Sequence, residues 1–154
     1  MTLKILTENE KKEIEKELSE QFGVKKIPGI ILKSGTERFF LFLGDLDEEQ
    51  IKQLEENVPI ERVGFYFARY LDNRIRLSIE GVYLLKNQIT KNIFELNEEQ
   101  AEQWMMGREL NIRTDKQGLL IMKHKDYFLG CGKASKEKIG NFIPKNRRLK
   151  SKNS

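Results

Sequence analysis

Residues Gly118 to Lys150 read GLLIMKHKDYFLGCGKASKEKIGNFIPKNRRLK, and the fold class turns on them. Two apolar runs, Leu119-Leu120-Ile121-Met122 and Tyr127-Phe128-Leu129, flank a polar tip, Lys123-His124-Lys125-Asp126. Apolar runs across such a tip predict a β-hairpin. Gly130 and Gly132 bracket Cys131, where two glycines let a strand bend or another backbone come close. Beyond them Lys133, Lys136, Lys138, Lys145, Arg147, Arg148, Lys150 and Lys152 are opposed only by Glu137. From Arg113 onward 12 Lys and Arg face 3 Asp and Glu, a net of +9 where the whole chain carries +4. A β-rich end with that charge is an electrostatic footprint for a polyanion, most often nucleic acid.

Working outward, charge falls towards the N-terminus. Residues 1–60 hold 9 basic against 13 acidic side chains, and residues 61–112 hold 7 against 8. The 154 residues suit one ordinary domain or two small ones sharing an interface. An apolar content of 38% with nine Phe supplies a core. No apolar run approaches the roughly 18 residues of a membrane span, so no membrane partner is expected. The opening MTLKILTENEKK has too short an apolar segment for a signal peptide. With Cys131 as the one cysteine, no intramolecular disulfide can form, which fits a reducing, cytoplasmic setting.

The order of elements can be read from the N-terminus. Thr7 followed by Glu8 and Glu10 predicts a helix start, Ile14, Leu18 and Phe22 form one apolar face, and Gly23 offers the stop. Ile30-Ile31-Leu32 and Arg38 to Leu43 predict a hairpin about Lys33-Ser34-Gly35-Thr36-Glu37. Asp47 starts a short helix with Ile51 and Leu54, ended by Pro59; the acids Asp45, Asp47, Glu48 and Glu49 are better explained as helix-start residues than as metal ligands. Gly64 to Arg69 and Arg74 to Ile79 form another hairpin about Leu71-Asp72-Asn73, with Arg74 and Arg76 on one face. Glu80 to Leu85 follows as a helical or irregular segment. The polar stretch Lys86 to Asn92 marks a boundary, dividing the chain into 1–88 and 89–154. Asn97 opens a helix whose apolar residues are Ala101, Trp104, Met105 and Met106, closed by Gly107; its spacing favours a core helix over a ligand pocket. Glu109 to Arg113 reads as a short strand, and Ser151 to Ser154 as a frayed end.

Two resemblances accompany this pattern. A strand, then "FLGCGK", a basic connection and "NFIPKNRRLK" resembles a PUA-type RNA-binding domain, and its tail is similar to the PUA-like end of the Sun/Nol-type RNA cytosine methyltransferases. The full order resembles the nuclear-import-seven-type ribosome biogenesis factors, on "LTENEKKEIEKEL", "ERFFLFLGDL", "RIRLSIEGVYLL" and "LLIMKHKDYFLGCGKAS". These resemblances imply an α+β chain: an α/β pre-PUA domain at 1–88, then a PUA-like β-pseudobarrel with a basic tail at 89–154. They imply RNA as partner, ribosomal RNA or its precursor, with a protein partner from ribosome assembly or RNA modification.

Catalytic chemistry has little support in the residues. His124 is the one histidine, expected as a solvated residue at the hairpin tip, and Cys131 is expected as a small packing residue. Neither a His/Cys zinc set, nor a Walker loop, nor a repeated βα pattern for a methyl donor is present, so no metal, no cofactor and no turnover are expected. Lys133, Lys138, Lys145, Arg147, Arg148 and Lys150 are the expected RNA contacts, because Lys and Arg meet phosphates and Arg also stacks. Phe142, Ile143 and Pro144 are expected to anchor them beside the barrel. Two roles follow: a non-catalytic assembly factor acting on ribosomal RNA precursors, or a subunit lending RNA affinity to a separate modifying enzyme.

Overall fold

Thr7 begins the first helix as its sequence predicts, in a computed structural model that describes residues 3–44, 47–56 and 64–150. Helix α1 spans Glu8–Phe22. The Thr7 hydroxyl accepts the Glu10 N–H at 3.2 Å, and the Glu10 carboxylate accepts the Thr7 N–H at 3.0 Å. This reciprocal cap satisfies two helix-end donors and contributes about 1 kcal/mol. Gly23, in the left-handed region at φ 82°, ends the helix. Ile14, Leu18 and Phe22 are buried, as their spacing requires.

Strands β1 (Leu3–Ile5), β2 (Ile30–Ser34), β3 (Arg38–Phe42), β4 (Phe65–Leu71) and β5 (Arg74–Leu77) form an antiparallel sheet in sequence order. The first hairpin loop is tighter than expected: Lys33 and Ser34 belong to β2, pairing with Phe39 and Arg38. The second turns through Asp72 and Asn73, both at positive φ (52° and 63°), the backbone that matches strand twist in a two-residue turn. Side chains alternate between two cores. Ile31, Phe39, Leu41 and Phe67 meet Leu18 and Phe22 of α1, whereas Leu32 and Phe40 meet Ile51 of α2, Glu48–Glu55. Asp47 caps α2 by accepting the Gln50 N–H at 2.8 Å. Asp45, Pro59 and Ser151 to Ser154 lie outside the described residues, and so does the side chain of Leu54.

The second sheet has the order β6 (Ile93–Glu95), β7 (Gly118–His124), β8 (Tyr127–Ala134), β9 (Ile139–Asn141). The predicted hairpin is β7–β8, but its turn is only Lys125-Asp126, since His124 pairs with Tyr127 inside the ladder. His124 is therefore not a solvated tip residue: it is half-buried, with Nδ1 2.7 Å from the Leu96 carbonyl oxygen. Strand β6 runs parallel to β7. The expected strand at Glu109 to Arg113 shrinks to one bridge, Leu110 with Ile139, closed by reciprocal backbone bonds of 3.0 and 2.8 Å.

Helix α3 (Ile79–Leu85) packs on both β4 and β8 and so joins the sheets. Ser78 caps it, accepting the Gly81 N–H at 2.9 Å. A Cβ at Gly81 would stand 2.5 Å from the Phe67 carbonyl oxygen, so only glycine allows this crossing. The chain changes sheet within Lys86 to Asn92, and that polar stretch is bound to the end of α1. Gln88 accepts the Lys25 and Lys26 N–H groups at 2.9 Å each, Thr90 donates to the Phe22 carbonyl at 2.8 Å, and Ile89 is buried. One apolar cluster runs across the change of sheet, uniting Phe22, Leu77, Val82 and Leu85 with Leu119, Ile121 and Cys131. No helix among the described residues is long and apolar enough to cross a membrane.

Candidate nucleic-acid interface

The basic end is held on a frame built around Trp104, in α4 (Glu98–Met105). Its ring is fully buried and its indole N–H donates to the Leu129 carbonyl at 2.8 Å. A Cβ at Gly132 would stand 2.7 Å from this ring and 2.8 Å from Ile139, so this glycine admits an indole rather than a backbone, while Gly130 supplies a positive φ of 90°. Asn141 completes the frame. Its amide donates to the carbonyls of Trp104 (2.8 Å) and Arg108 (3.0 Å), and its oxygen accepts the Ile143 N–H at 2.8 Å. The amide thus binds the end of α4 to the turn that follows it. Ile143 is buried and Phe142 stacks under Arg76 at 4.5 Å, so the expected anchor is present. A 3₁₀ turn, Lys145–Arg147, follows Pro144.

The six expected RNA contacts separate into three kinds. Arg148 is a strut: its Nε donates to the Ile143 carbonyl at 2.9 Å, and its side chain fills the space that a Cβ at Gly107 would need. The next residue, Leu149, donates its N–H to the Met105 carbonyl at 2.8 Å, clasping the tail to α4. Three more carry acidic partners. Lys133 meets Asp72 at 2.5 Å, Lys138 meets Glu109 at 2.9 Å, and Arg147 pairs with Glu80. These pairs are exposed, so each contributes only about 0–1 kcal/mol and can open to a competing phosphate. Lys145 and Lys150 stand exposed at the end of the tail and are the most available cations of the set. The net charge of the sequence end thus overstates the field there, because Asp72 and Glu80 come from the other half.

Sequence reasoning missed Arg76, Tyr66 and Asn141. Arg76 donates to the Tyr66 hydroxyl at 3.2 Å while covering Phe142, tying the first sheet to the tail. The cavity between Tyr66, Arg76, Cys131 and Pro144 is about 70 Å³, too small for a nucleobase or cofactor when ligand pockets begin near about 300 Å³. Alternation in β5 hinted that Arg76 shares a face with Arg74; nothing local marked Asn141. Cys131 is a packing residue, and burial pushes its thiol up to about 12, away from any nucleophilic role. Among the described residues no three His, Cys, Asp or Glu side chains gather as a metal-holding group.

Comparison with known proteins falls on this region. Residues 91–149 match the family described as the methyltransferase RsmF PUA domain. They form a PUA-like domain related to that one. The ribosomal RNA small subunit methyltransferase F of Shewanella oneidensis is 26% identical over 136 residues, covering 87% of this chain and 27% of that protein. The enzyme of the same description from Aliivibrio fischeri is 29% identical over 97 residues, covering 63% of this chain and 20% of that protein. The chain therefore spans only about a fifth to a quarter of the length of these curated relatives.

Proposed function

We propose that this chain binds ribosomal RNA through its PUA-like half and performs no catalysis of its own. The observation that carries the reading is the match of residues 91–149 to a methyltransferase PUA domain, the region whose exposed lysines the Trp104–Asn141 frame holds in place. The better-supported role is to lend RNA affinity to a methyltransferase centre carried elsewhere. The Shewanella relative aligns over 87% of the chain and so takes in much of the first half as well. The second role is that of a ribosome assembly factor of the nuclear-import-seven type. It is supported by the order of elements, an α/β half leading directly into the PUA-like half.

Anisotropy titration against labelled small-subunit ribosomal RNA fragments and transfer RNA tests the reading. Salt-sensitive binding with preference for the ribosomal fragments is expected; equal, weak binding to both would remove the ribosomal assignment. Purification under mild salt then separates the roles. A methyltransferase polypeptide in the eluate supports the first, and ribosomal precursors with assembly proteins support the second. Methyl transfer by the isolated chain would refute the non-catalytic reading outright.

A further inference from the structure

A second surface borders the basic tail on the side of Arg147. Helix α3 and the β7–β8 hairpin enclose an open groove of about 440 Å³, lined by Leu43, Phe65, Tyr83, Leu84, Phe128 and Arg147. The lining is largely apolar and includes three aromatic residues, Phe65, Tyr83 and Phe128. Tyr83 is 66% exposed and Leu43 49%, although both are large side chains a fold ordinarily covers. The aromatic walls are accompanied by cations. Lys86 Nζ lies 4.3 Å from the centre of the Tyr83 ring, Lys123 Nζ lies 5.4 Å from that of Phe128, and Arg147 stands at the rim. Glu80 is the acid lining the groove, and it is paired with Arg147.

We propose that this groove takes an unpaired base of a single-stranded RNA segment, stacked on Tyr83, with Lys86 and Lys123 meeting the flanking phosphates. The proposal rests on the RNA-binding reading above and gives it a second contact surface. An apolar groove lined by aromatic rings can take the π-face of any base, and ammonium groups beside those rings complement the charge of its phosphates. A protein segment would fill the apolar floor equally well, but it would leave Lys86 and Lys123 without a negative partner. A duplex does not fit, because its bases are stacked inside and present no free face.

The experiment uses the whole chain with labelled oligo(A), a labelled RNA duplex of equal length, and variants at exposed positions. Tyr83→Ala should weaken oligo(A) binding roughly five- to a hundred-fold. It should leave duplex binding and the salt slope as they were, since no charge is removed. Tyr83→Phe keeps the ring face and should retain wild-type affinity. Lys86→Ala should flatten the log–log salt slope for oligo(A) by about 0.7. Unchanged oligo(A) affinity in Tyr83→Ala, alongside weakened binding when Lys145 and Lys150 are replaced, would overturn the groove while sparing the RNA-binding reading. Loss of a protein partner in Tyr83→Ala with intact RNA affinity would overturn it too. A wild-type chain that binds neither probe brings down both.

Discussion

The two halves of this molecule are held together in different ways. In the first, all four strand pairings join strands that are consecutive along the chain, two of them as direct hairpins, and α1 lies across them with a closed cap at each end. In the second, the β7–β8 hairpin and its neighbour β9 are local, but other partners are brought in from a distance. Strand β6 runs parallel to β7, Leu110 bridges Ile139, and Asn141 reaches back to α4. Local pairing needs only a turn and alternating apolar residues. Distant pairing is decided by whichever side chains satisfy leftover backbone groups, and here Trp104 and Asn141 do so.

The sharpest way to break that contrast is to remove the pillar of the second half. Trp104→Ala should cost about 3–5 kcal/mol, as large aromatic truncations in a core do. It should also release the tail, since the Leu129 carbonyl loses its partner and Gly132 its packing. Urea unfolding combined with proteolysis near Lys145 measures both. A loss under about 1 kcal/mol would mean that the frame does not rest on this ring.

Asn141→Ala is the next largest. It removes one donor from the Trp104 carbonyl, which keeps the Gly107 N–H, and takes the Asn141 partner from the Arg108 carbonyl and the Ile143 N–H; a group left unsatisfied costs about 1–3 kcal/mol when it stays buried. Part of that is recovered from water at this half-buried site, so a total of about 1–3 kcal/mol is expected. Asn141→Asp keeps the acceptor for Ile143 but turns the other oxygen against two carbonyls, and should be no better than alanine.

The charge comparison is sharpened by separating free from clasped cations. Replacing Lys145 and Lys150 by Ala should leave the urea midpoint unchanged while flattening the salt dependence of RNA binding by about 0.7–0.9 per lost contact. Arg148→Ala, by contrast, should lower the midpoint, because this side chain supports the tail. Lys12 and Lys16 on the exposed side of α1 serve as controls and should change neither quantity. Lys11 is unsuitable, being bonded to the Gly29 carbonyl at 2.7 Å. Equal RNA losses in the control pair and the tail pair would show attraction by overall charge alone. Going the other way, Glu109→Gln frees Lys138 and should strengthen RNA binding modestly.

The smallest effect belongs to the first half. The Lys4 ammonium, with the Thr7 N–H, holds the Glu10 carboxyl down at about 2, against an ordinary value of 4.5. A depressed carboxyl stabilises the fold above its ordinary value, and that contribution disappears as the pH falls from 4.5 towards 2. Wild type should therefore lose slightly more stability than Glu10→Gln between pH 5 and 2, read as the difference between their urea midpoints. Parallel loss in the two proteins would show that the Lys4–Glu10 contact contributes nothing.

Particular elements show what was legible beforehand. Helix α1 could be read because Thr7, Glu10, Gly23 and a 3.6-residue apolar spacing agree with one another. The β7–β8 hairpin was legible for the same kind of reason. Strands β1, β6 and β9 were not: each has three residues, too few for an alternating pattern, and Gly140 and Asn141 disfavour a strand. The polar stretch at Lys86 to Asn92 was read as a boundary, and the chain passes from one sheet to the other within it while one apolar cluster runs across. Part of its polarity serves contact, since Gln88 bonds Lys25 and Lys26 just past α1 and Asn92 bonds Gln21 within it.

The six basic residues mark where a chain-order argument ends. Composition determined that the C-terminal end is cationic and carries the apolar Phe142 and Ile143, because charge and apolarity belong to each residue wherever it lies. Which cations remain available was decided only by folding. It brought Asp72 and Glu80 across from the first half to Lys133 and Arg147, and it tied Arg148 to the Ile143 carbonyl. It also set Tyr83 beside Phe128, 45 residues further along the chain. Coulomb forces and stacking act over a few ångströms of space, and proximity of that kind is created by the tertiary fold.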